Sequence, residues 1–253
     1  MHRAGPAGGE TFERIRADAV EVTDHIRTRL GVDKVVLLGH SYGSAFGLRL
    51  ARAFPERYSA YVGTDQNIHD AGRDDSVHQA LVARLRATGK HKELASVEAL
   101  DADKHRWTAR EGAMHAKLLA TSDPLTLETM KRVVMGSLWL SPLHSLRELG
   151  HFLKGMSFSE QITESTRGFD DWSDGTEFEL PFFLFQGEKD VLTPPERARR
   201  FFDDVQAPVK AFALIEDCSH FAAFRRPERF LELLLAHVRP VVGAGAPTAA
   251  AKI

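Results

Sequence analysis

The chain has 253 residues, of which 43% are hydrophobic and 27% are charged, with a formal net charge of −2. This balance describes a globular protein without a basic surface for nucleic acid, so we expect a small molecule or a short peptide as the substrate. The chain has no signal-like segment and no apolar run that could span a membrane. Its one cysteine, Cys218, excludes an internal disulfide. We therefore expect a cytoplasmic protein.

The first predicted element is an amphipathic helix in the segment TFERIRADAVEVTDHIRTRL, which Gly31 ends as a helix cap. The apolar residues that recur at helical spacing are Phe12, Ile15, Ala19, Val22, Ile26 and Leu30. The short apolar run VVLLG follows and is typical of a strand that is buried on both faces. After it, SAFGLRLARAF has helical character and stops at Pro55.

Between this strand and this helix, Gly39-His40-Ser41-Tyr42-Gly43 fits the pattern G-x-S-x-G that often marks a nucleophilic serine. The pattern alone is weak, because Gly and Ser are common residues. A sharp turn from strand to helix is the context in which such a serine is lifted clear of the sheet, above the positive end of the helix dipole. We therefore predict Ser41 as a nucleophile; the alternative is a serine that only caps the helix.

Two later strands also end close to polar residues. PFFLFQGEKD predicts a buried strand with Asp190 just past its carboxyl end, and VKAFALIEDCSH places His220 in the same way. Because the carboxyl ends of parallel strands share one edge of a sheet, the order Ser41, Asp190, His220 predicts a nucleophile, an orienting acid and a general base. Taken singly, Asp190 would be a loop carboxylate and His220 a surface histidine. Together they favour an α/β fold with a mostly parallel sheet.

The sequence resembles the α/β-hydrolases, and more narrowly the proline iminopeptidase group of serine hydrolases. The resemblance runs through LGVDKVVLLGHSYGSAFGLRLARAFPERYSAYVGTDQ, LPFFLFQGEKDVLTPPERARRFF and IEDCSHFAAFRRPERFLELL. It implies that Ser41 is the nucleophile, Asp190 the acid and His220 the base. It also implies that the backbone N–H of Tyr42 is one oxyanion donor, and it implies no cofactor.

Residues 66–178 contain several helical patterns and no strand-like alternation. In the family that this sequence resembles, such an insertion forms a helical cap over the serine, which shapes the substrate pocket and excludes water. The patterns are SVHQALVARLRATG, TLETMKRVVMGSLW and LHSLRELGHFLKGM. We therefore predict a hydrolase core from residues 1–65 and 179–240, a helical cap from residues 66–178, and a disordered tail from residues 241–253.

One segment of the predicted cap bears on the substrate. Iminopeptidases hold the free amino group of the substrate with cap carboxylates, and Trp107-Thr-Ala-Arg-Glu111 resembles a family segment in which Trp and Glu help to form that site. Arg110 stands where a second Trp is expected. Alternatively, Glu111 is a solvated helix residue and Trp107 belongs to the core or the pocket wall. Glu111 and His115 lie one helical turn apart, but no third ligand is spaced to join them, so we expect no metal site.

The start of the chain departs from the family that it resembles. Family members usually carry four more strands before the first helix, including a His-Gly segment that supplies the second oxyanion donor. We therefore expect a truncated start and an apolar sheet edge at VVLLG that allows self-association. Losing one oxyanion donor can reduce the rate on the order of 100- to 1000-fold. The remaining strands are expected near residues 34–39, 58–63, 182–187 and 211–216.

The sequence therefore favours a serine hydrolase, preferably an aminopeptidase of the proline iminopeptidase type. One alternative is a carboxylesterase or another acyl hydrolase of the same fold, since an activated serine attacks any accessible acyl carbon. A second alternative is a catalytically impaired hydrolase-like fragment that only binds. Cys218 has no comparable turn around it, and we expect it to be a small buried residue.

Overall fold

The structure, a computed structural model, describes residues 12–71, 75–137, 145, 147, 148, 150, 151, 166 and 168–243. The chain divides into two compact units. The sheet unit consists of Thr23–Ile68 and Gly175–Ile253, and the helical unit consists of Met1–Val22 and His69–Asp174. The predicted helix LHSLRELGHFLKGM lies largely outside the described residues. Within the described ranges, no helix is both long enough and apolar enough to cross a membrane.

The sheet unit is built on four strands that are all parallel and lie in the order β1-β2-β3-β4. Their bounds are β1 Val35–His40, β2 Tyr58–Thr64, β3 Phe182–Gly187 and β4 Lys210–Ile215. These bounds agree with the predicted ones to within one residue. The predicted α/β fold with a parallel sheet is therefore confirmed.

Helices occupy much of the remaining described chain. Their bounds are α1 Phe12–Leu30, α2 Tyr42–Ala53, α3 Ser76–Ala87, α4 His91–Glu98, α5 Ala109–Ser122, α6 Pro124–Thr129, α7 Pro195–Asp204, α8 Ala222–Arg225, α9 Pro227–Leu233 and α10 Arg239–Gly243. Single 3₁₀ turns lie at Pro55–Arg57 and Lys104–Arg106, and π-helical turns lie at Met130–Met135 and Leu234–Val238. Gly31 ends α1 with a φ of 65°, as predicted for a helix cap.

The core of the sheet unit forms where β2 and β3 pack against helices from the end of the chain. Both strands carry almost continuous apolar runs, because both faces of a central parallel strand are covered. The buried cluster consists of Ala60, Val62, Phe183, Phe185, Ile215, Cys218, Ala222, Leu233 and Val238. Val241 and Val242 pack against this cluster, so residues 241–243 are helical although they were predicted as part of a disordered tail. Residues 244–253 lie outside the described residues.

Two helices of the helical unit begin with side-chain caps. The Thr108 hydroxyl accepts the Glu111 N–H at 3.3 Å, and the Glu111 carboxylate accepts the Thr108 N–H at 2.7 Å, which is a reciprocal capping box at the start of α5. At the start of α6, Asp123 accepts the Thr126 N–H at 2.8 Å. The side chain of each cap thus satisfies a backbone donor that the first helical turn leaves unpaired.

The helical unit contains an aromatic cluster in which His115 is buried and His78 and Trp107 are half-buried. The rings of His78 and His115 stack with their centroids 5.4 Å apart, and the Trp107 ring lies 4.9 Å from that of His115. Burial lowers the pKa of His115 to about 4, and the nearby His78 and Lys104 act in the same direction. His115 is therefore uncharged at neutral pH within this cluster.

Helix α1 does not bury the apolar face that its sequence predicts. Phe12 at its start is buried. The exposed residues of the predicted face are Val22, Ile26 and Leu30. The second half of α1 is held by polar contacts instead, because the Thr23 and Tyr58 hydroxyls lie 3.1 Å apart and Asp24 pairs with Arg57 at 3.2 Å. Partnered polar groups thus fix this half of the helix.

Strand β1 lies at one end of the sheet order and exposes apolar side chains. Val36 and Leu38 are 40% and 48% exposed, so the strand is not buried on both faces as predicted. The physical reason is that Val36 and Leu38 lie two residues apart, so both side chains point to the same face of the sheet, which is open at β1. Within the described residues, β1 also pairs with β2 alone, which leaves one backbone edge of the strand unpaired. An apolar strand with one unpaired edge is the type of surface that can pair with another chain.

We expect Leu38→Lys to reduce self-association of this chain, because a charge on an edge strand opposes strand pairing. Size-exclusion chromatography with light scattering at several concentrations should show a shift toward the smaller species, with an unchanged far-ultraviolet circular dichroism spectrum. The matched control is Leu231→Lys on the helix α9, which is 53% exposed, lies outside the sheet and should leave association unchanged. The same association state for Leu38→Lys and the unsubstituted chain would contradict an associating β1 edge.

Candidate active site

Ser41 occupies the turn between β1 and α2 with φ 52° and ψ −120°. A positive φ is uncommon for a residue with a side chain and costs about 1–3 kcal/mol. The turn is tight, because a Cβ added at Gly39 would lie 2.5 Å from the carbonyl oxygen of Gly43. A Cβ at Gly43 would meet nothing within 4 Å, so only the first glycine of the motif is required by packing. The Ser41 side chain makes no capping hydrogen bond to α2, which leaves its hydroxyl for other partners.

The three predicted polar residues meet at one edge of the sheet. His220 Nε2 lies 2.9 Å from Ser41 Oγ, and His220 Nδ1 lies 2.9 Å from Asp190 Oδ2. Because an ionised carboxylate can only accept, Nδ1 carries the proton in this contact. In the neutral imidazole, Nε2 is then free to accept the Ser41 proton. Asp190 and His220 are both buried.

A short turn after β3 fixes the orientation of the Asp190 carboxylate. Asp190 Oδ1 accepts the N–H groups of Leu192 and Thr193 at 2.8 and 3.0 Å. The Thr193 hydroxyl donates to Asp190 Oδ2 at 2.6 Å. Gln186, at the end of β3, donates from Nε2 to the Thr193 carbonyl at 2.6 Å and so holds the turn to the sheet. Thr193 was not predicted, although a Thr three residues after an Asp is a recognisable signal for such a side-chain turn.

The charge state of His220 reflects two opposing effects. Burial lowers the pKa of His220, but the hydrogen bond and the charge of Asp190, together with the charge of Asp65, outweigh burial and raise that pKa above its ordinary value. A histidine with a raised pKa is a stronger base when neutral. It is also protonated over a wider range of pH.

Two further polar residues at this edge were not predicted. Asp65 directly follows β2 and is fully buried, and His40 is the last residue of β1. His40 donates from Nε2 to Asp65 Oδ2 at 3.1 Å, and the His40 ring lies 5.1 Å from the His220 ring. Asp65 occupies the same kind of position as Asp190, just past the carboxyl end of a parallel strand, so the rule that identified Asp190 could have identified it.

In the described part of the chain, one cluster of side chains has the composition of a possible metal site. It consists of Asp65, Asp190 and His220. Their ligand atoms lie within 4.8 Å of one another. Each carboxylate already accepts several hydrogen bonds from the protein. This arrangement is that of a satisfied hydrogen-bond network.

The other predicted site residues lie in different surroundings. Tyr42 is the first residue of α2, so its backbone follows Ser41 at the amino end of that helix. Trp107 and Glu111 belong to the helical unit, where Trp107 donates from Nε1 to the Asp101 carbonyl at 2.7 Å and Glu111 serves the α5 cap. Cys218 is buried, and burial raises the pKa of its thiol, which agrees with the predicted small buried residue.

The chain belongs to the α/β-hydrolase fold family, which matches residues 6–227. The protein is thus a hydrolase of that fold, and the predicted resemblance at this level is confirmed. Among curated proteins, the "Probable aminopeptidase YbaC" of Bacillus subtilis is similar to this chain. It is 20% identical over 235 residues, which cover 90% of this chain and 73% of that protein.

Solved structures of the same fold are similar over most of this chain. Rv0554 from Mycobacterium tuberculosis has a TM-score of 0.55 at 19% identity, with 92% of this chain and 74% of that chain covered. A thermophilic esterase from Thermogutta terrifontis has a TM-score of 0.54 at 16% identity, with 94% and 75% covered. At such identities the similarity shows a shared fold and carries no information on the substrate.

We expect the acid limb of the pH–rate profile to lie above pH ~6.5, the unperturbed value for histidine. His220 can accept the Ser41 proton only when neutral, so a raised pKa means that activity is lost at a higher pH as the solution is acidified. The measurement is kcat/KM for p-nitrophenyl acetate from about pH 5 to about pH 9, with circular dichroism at each pH as the control for folding. A folded protein with its midpoint at or below ~6.5 would contradict this assignment.

Proposed function

We propose that this protein is a serine hydrolase in which Ser41 attacks an acyl carbon. The observation that carries the proposal is the continuous contact from Ser41 Oγ to His220 Nε2 and from His220 Nδ1 to Asp190 Oδ2, at 2.9 Å in each case. A buried carboxylate, an imidazole and a strained serine in this order are the groups that acyl transfer requires.

In the proposed reaction, His220 Nε2 removes the Ser41 proton as Oγ bonds to the acyl carbon. Asp190 keeps the other proton on Nδ1 and stabilises the imidazolium. The developing oxyanion is stabilised by the backbone N–H of Tyr42 at the amino end of α2, where the helix dipole favours negative charge. The imidazolium then protonates the leaving group, which departs and leaves an acyl group on Ser41. Water, deprotonated by His220, hydrolyses this ester, and the proton returns to Ser41.

We favour an aminopeptidase that acts on short substrates with an N-terminal proline. This preference rests on the resemblance to proline iminopeptidases and on the similarity to the "Probable aminopeptidase YbaC". In this proposal Glu111 binds the free amino group of the substrate and Trp107 forms part of the wall of that site. The Thr108 contacts lower the pKa of the Glu111 carboxyl, so the carboxylate is ionised at neutral pH and can attract a cation.

A second candidate is a carboxylesterase of the same fold, and one contact favours it. Glu111 Oε2 already accepts hydrogen bonds from the N–H and the hydroxyl of Thr108, both at 2.7 Å. A carboxylate that is engaged in a helix cap has less capacity for the amino group of a substrate. An ester substrate needs no such group, because the activated serine alone determines its attack.

Ser41→Ala should abolish covalent labelling by a fluorophosphonate and reduce kcat by about 10,000-fold or more, because no other group in the network can replace the nucleophile. Circular dichroism should remain unchanged. Intact-mass and peptide mass spectrometry should place the adduct of the unsubstituted protein on the Ser41 peptide. The matched control is Ser96→Ala on α4, whose hydroxyl donates only to the carbonyl of Lys92 at 3.0 Å and whose loss should leave labelling intact. Labelling that persists in Ser41→Ala would place the reactive group elsewhere.

Glu111→Gln separates the two candidates, because Gln also forms a capping box and should preserve α5. If Glu111 binds the substrate amino group, kcat/KM for proline p-nitroanilide should fall about 10- to 100-fold, the usual effect of a lost charged hydrogen bond. kcat/KM for p-nitrophenyl acetate, which has no amino group, serves as the internal control and should not change. An enzyme that hydrolyses the ester but not proline p-nitroanilide would be an esterase, whereas prolyl hydrolysis that Glu111→Gln leaves unchanged would place recognition of the amino group on another residue.

A further inference from the structure

Asp65 collects hydrogen bonds from three separate segments of the sheet unit. Its Oδ2 accepts the backbone N–H groups of Phe221 and Ala222 at 2.9 and 3.0 Å, and the Nε2–H of His40 at 3.1 Å. Its Oδ1 accepts the Gly187 N–H at 3.1 Å. A buried carboxylate with this many donors is held in one orientation.

The segment that Asp65 binds is the one that carries His220. Phe221, the next residue, has a left-handed backbone with φ 74° and ψ 32°, which is unfavourable for a residue with an aromatic side chain. Such a conformation persists only when its surroundings hold it. Asp65 supplies that restraint, because it accepts the N–H groups of Phe221 and Ala222. These are the two residues that follow His220 in the chain.

The ends of the neighbouring strands leave little space for another arrangement of this segment. A Cβ at Gly187 would lie 2.5 Å from the carbonyl oxygen of Ser219, so the loop before His220 passes directly over the end of β3. The same Gly187 donates its N–H to Asp65. Asp65 therefore joins the end of β2, the end of β3 and the segment after His220.

We propose that Asp65 is a positioning residue that fixes His220 beside Ser41 through the backbone of Phe221 and Ala222. The proposal rests on the serine hydrolase function proposed above. Asp65 does not act as the direct partner of the imidazole, because His220 Nδ1 is bound by Asp190.

The charge of Asp65 gives this role a measurable signature. The titratable groups that face His220 are Asp190 from the turn after β3, Asp65 from the end of β2 and His40 from β1. Burial lowers the pKa of His220, whereas Asp190 first and Asp65 second raise it. A variant without the Asp65 charge should therefore titrate His220 at a lower pH, through the lost charge itself and through any loss of the Asp190 contact that follows when His220 is no longer held in place.

Two substitutions remove the charge without opposing the backbone. Asp65 has a φ of 47°, a left-handed conformation that Asn and Gly adopt more readily than most residues. Asp65→Asn keeps one acceptor oxygen for the Phe221 and Ala222 N–H groups, and Asp65→Gly keeps none. The matched control is Asp123→Asn, a buried aspartate that accepts a backbone N–H as the cap of α6.

The first measurement is the ring ¹H–¹⁵N titration of His220 by NMR, which needs no substrate. Asp65→Asn should lower the midpoint by about one pH unit, as expected for the loss of a charge within a few ångströms. The second measurement is the pH dependence of ester hydrolysis. The acid limb should move by the same amount, and kcat should fall about 10- to 100-fold with KM nearly unchanged. Asp65→Gly should lose more activity than Asp65→Asn, and Asp123→Asn should change neither midpoint nor kcat.

An unchanged His220 midpoint in folded Asp65→Asn would overturn the proposal, and so would unchanged kcat. Failure of both Asp65 variants to fold would also overturn it, because Asp65 would then be required for the fold and not for the placement of His220. The proposed serine hydrolase function fails separately, if the unsubstituted protein is not labelled on Ser41. In that case the NMR midpoint still decides whether Asp65 acts on His220.

Discussion

Hydrogen bonding between parallel strands is the constraint on which the candidate site depends. In the observed register, His40 pairs with Thr64, and Gly187 pairs with Ile215. The strands therefore end together, and the residues that follow them must leave the sheet at one edge. Ser41 follows β1 at once, whereas the loops after β3 and β4 deliver Asp190 and His220 to the same place.

The strand order explains why a fourth residue is needed there. Because β2 and β3 lie between β1 and β4, the loop that carries His220 must pass over the ends of both strands to reach Ser41. Gly187, at the end of β3, has no side chain to obstruct that loop. Asp65, at the end of β2, offers a carboxylate to its backbone. Gly187, the last residue of β3, and Asp65, the residue after β2, thus suit the path that the strand order imposes on this loop.

Patterns in the sequence were sufficient for the four strands and for the strand-to-helix turn at Ser41. VVLLG and PFFLF are short apolar runs, and the turn at Ser41 lies between a strand and a helix, so local periodicity specifies them. Asp65 and Thr193 each had a local signal, the end of a strand and an Asp three residues earlier, but the groups that they bind depend on loop conformation, which no periodic pattern encodes. The exposure of Val36 depends on which other elements of the fold cover β1, and the sequence of the strand itself does not encode that. Glu111 also carries a local signal, since Thr-x-x-Glu is a readable capping box, and the structure forms that box at the start of α5.

Backbone strain is concentrated at this edge of the sheet. Ser41, Asp65 and Phe221 all have positive φ values, of 52°, 47° and 74°. Each such residue costs about 1–3 kcal/mol, a substantial amount beside the usual total stability of about 5–15 kcal/mol. The central strands beneath them are buried and apolar, so the sheet can hold conformations that the loops alone would not keep. In the proposed mechanism, pre-organisation of Ser41 as the nucleophile and His220 as the base is the functional counterpart of this strain.

The raised pKa of His220 bears on which bonds such a site can break. A stronger base takes the Ser41 proton more readily, although less of it is neutral at a given pH. An amide requires more, because its amine departs only after accepting a proton from the imidazolium, whereas an alcohol or a phenol is a better leaving group. The Asp190 contact holds the imidazolium in place until that transfer occurs. The chemistry of the three residues therefore accommodates amides and esters alike, and the choice between them must come from the groups that recognise the remainder of the substrate.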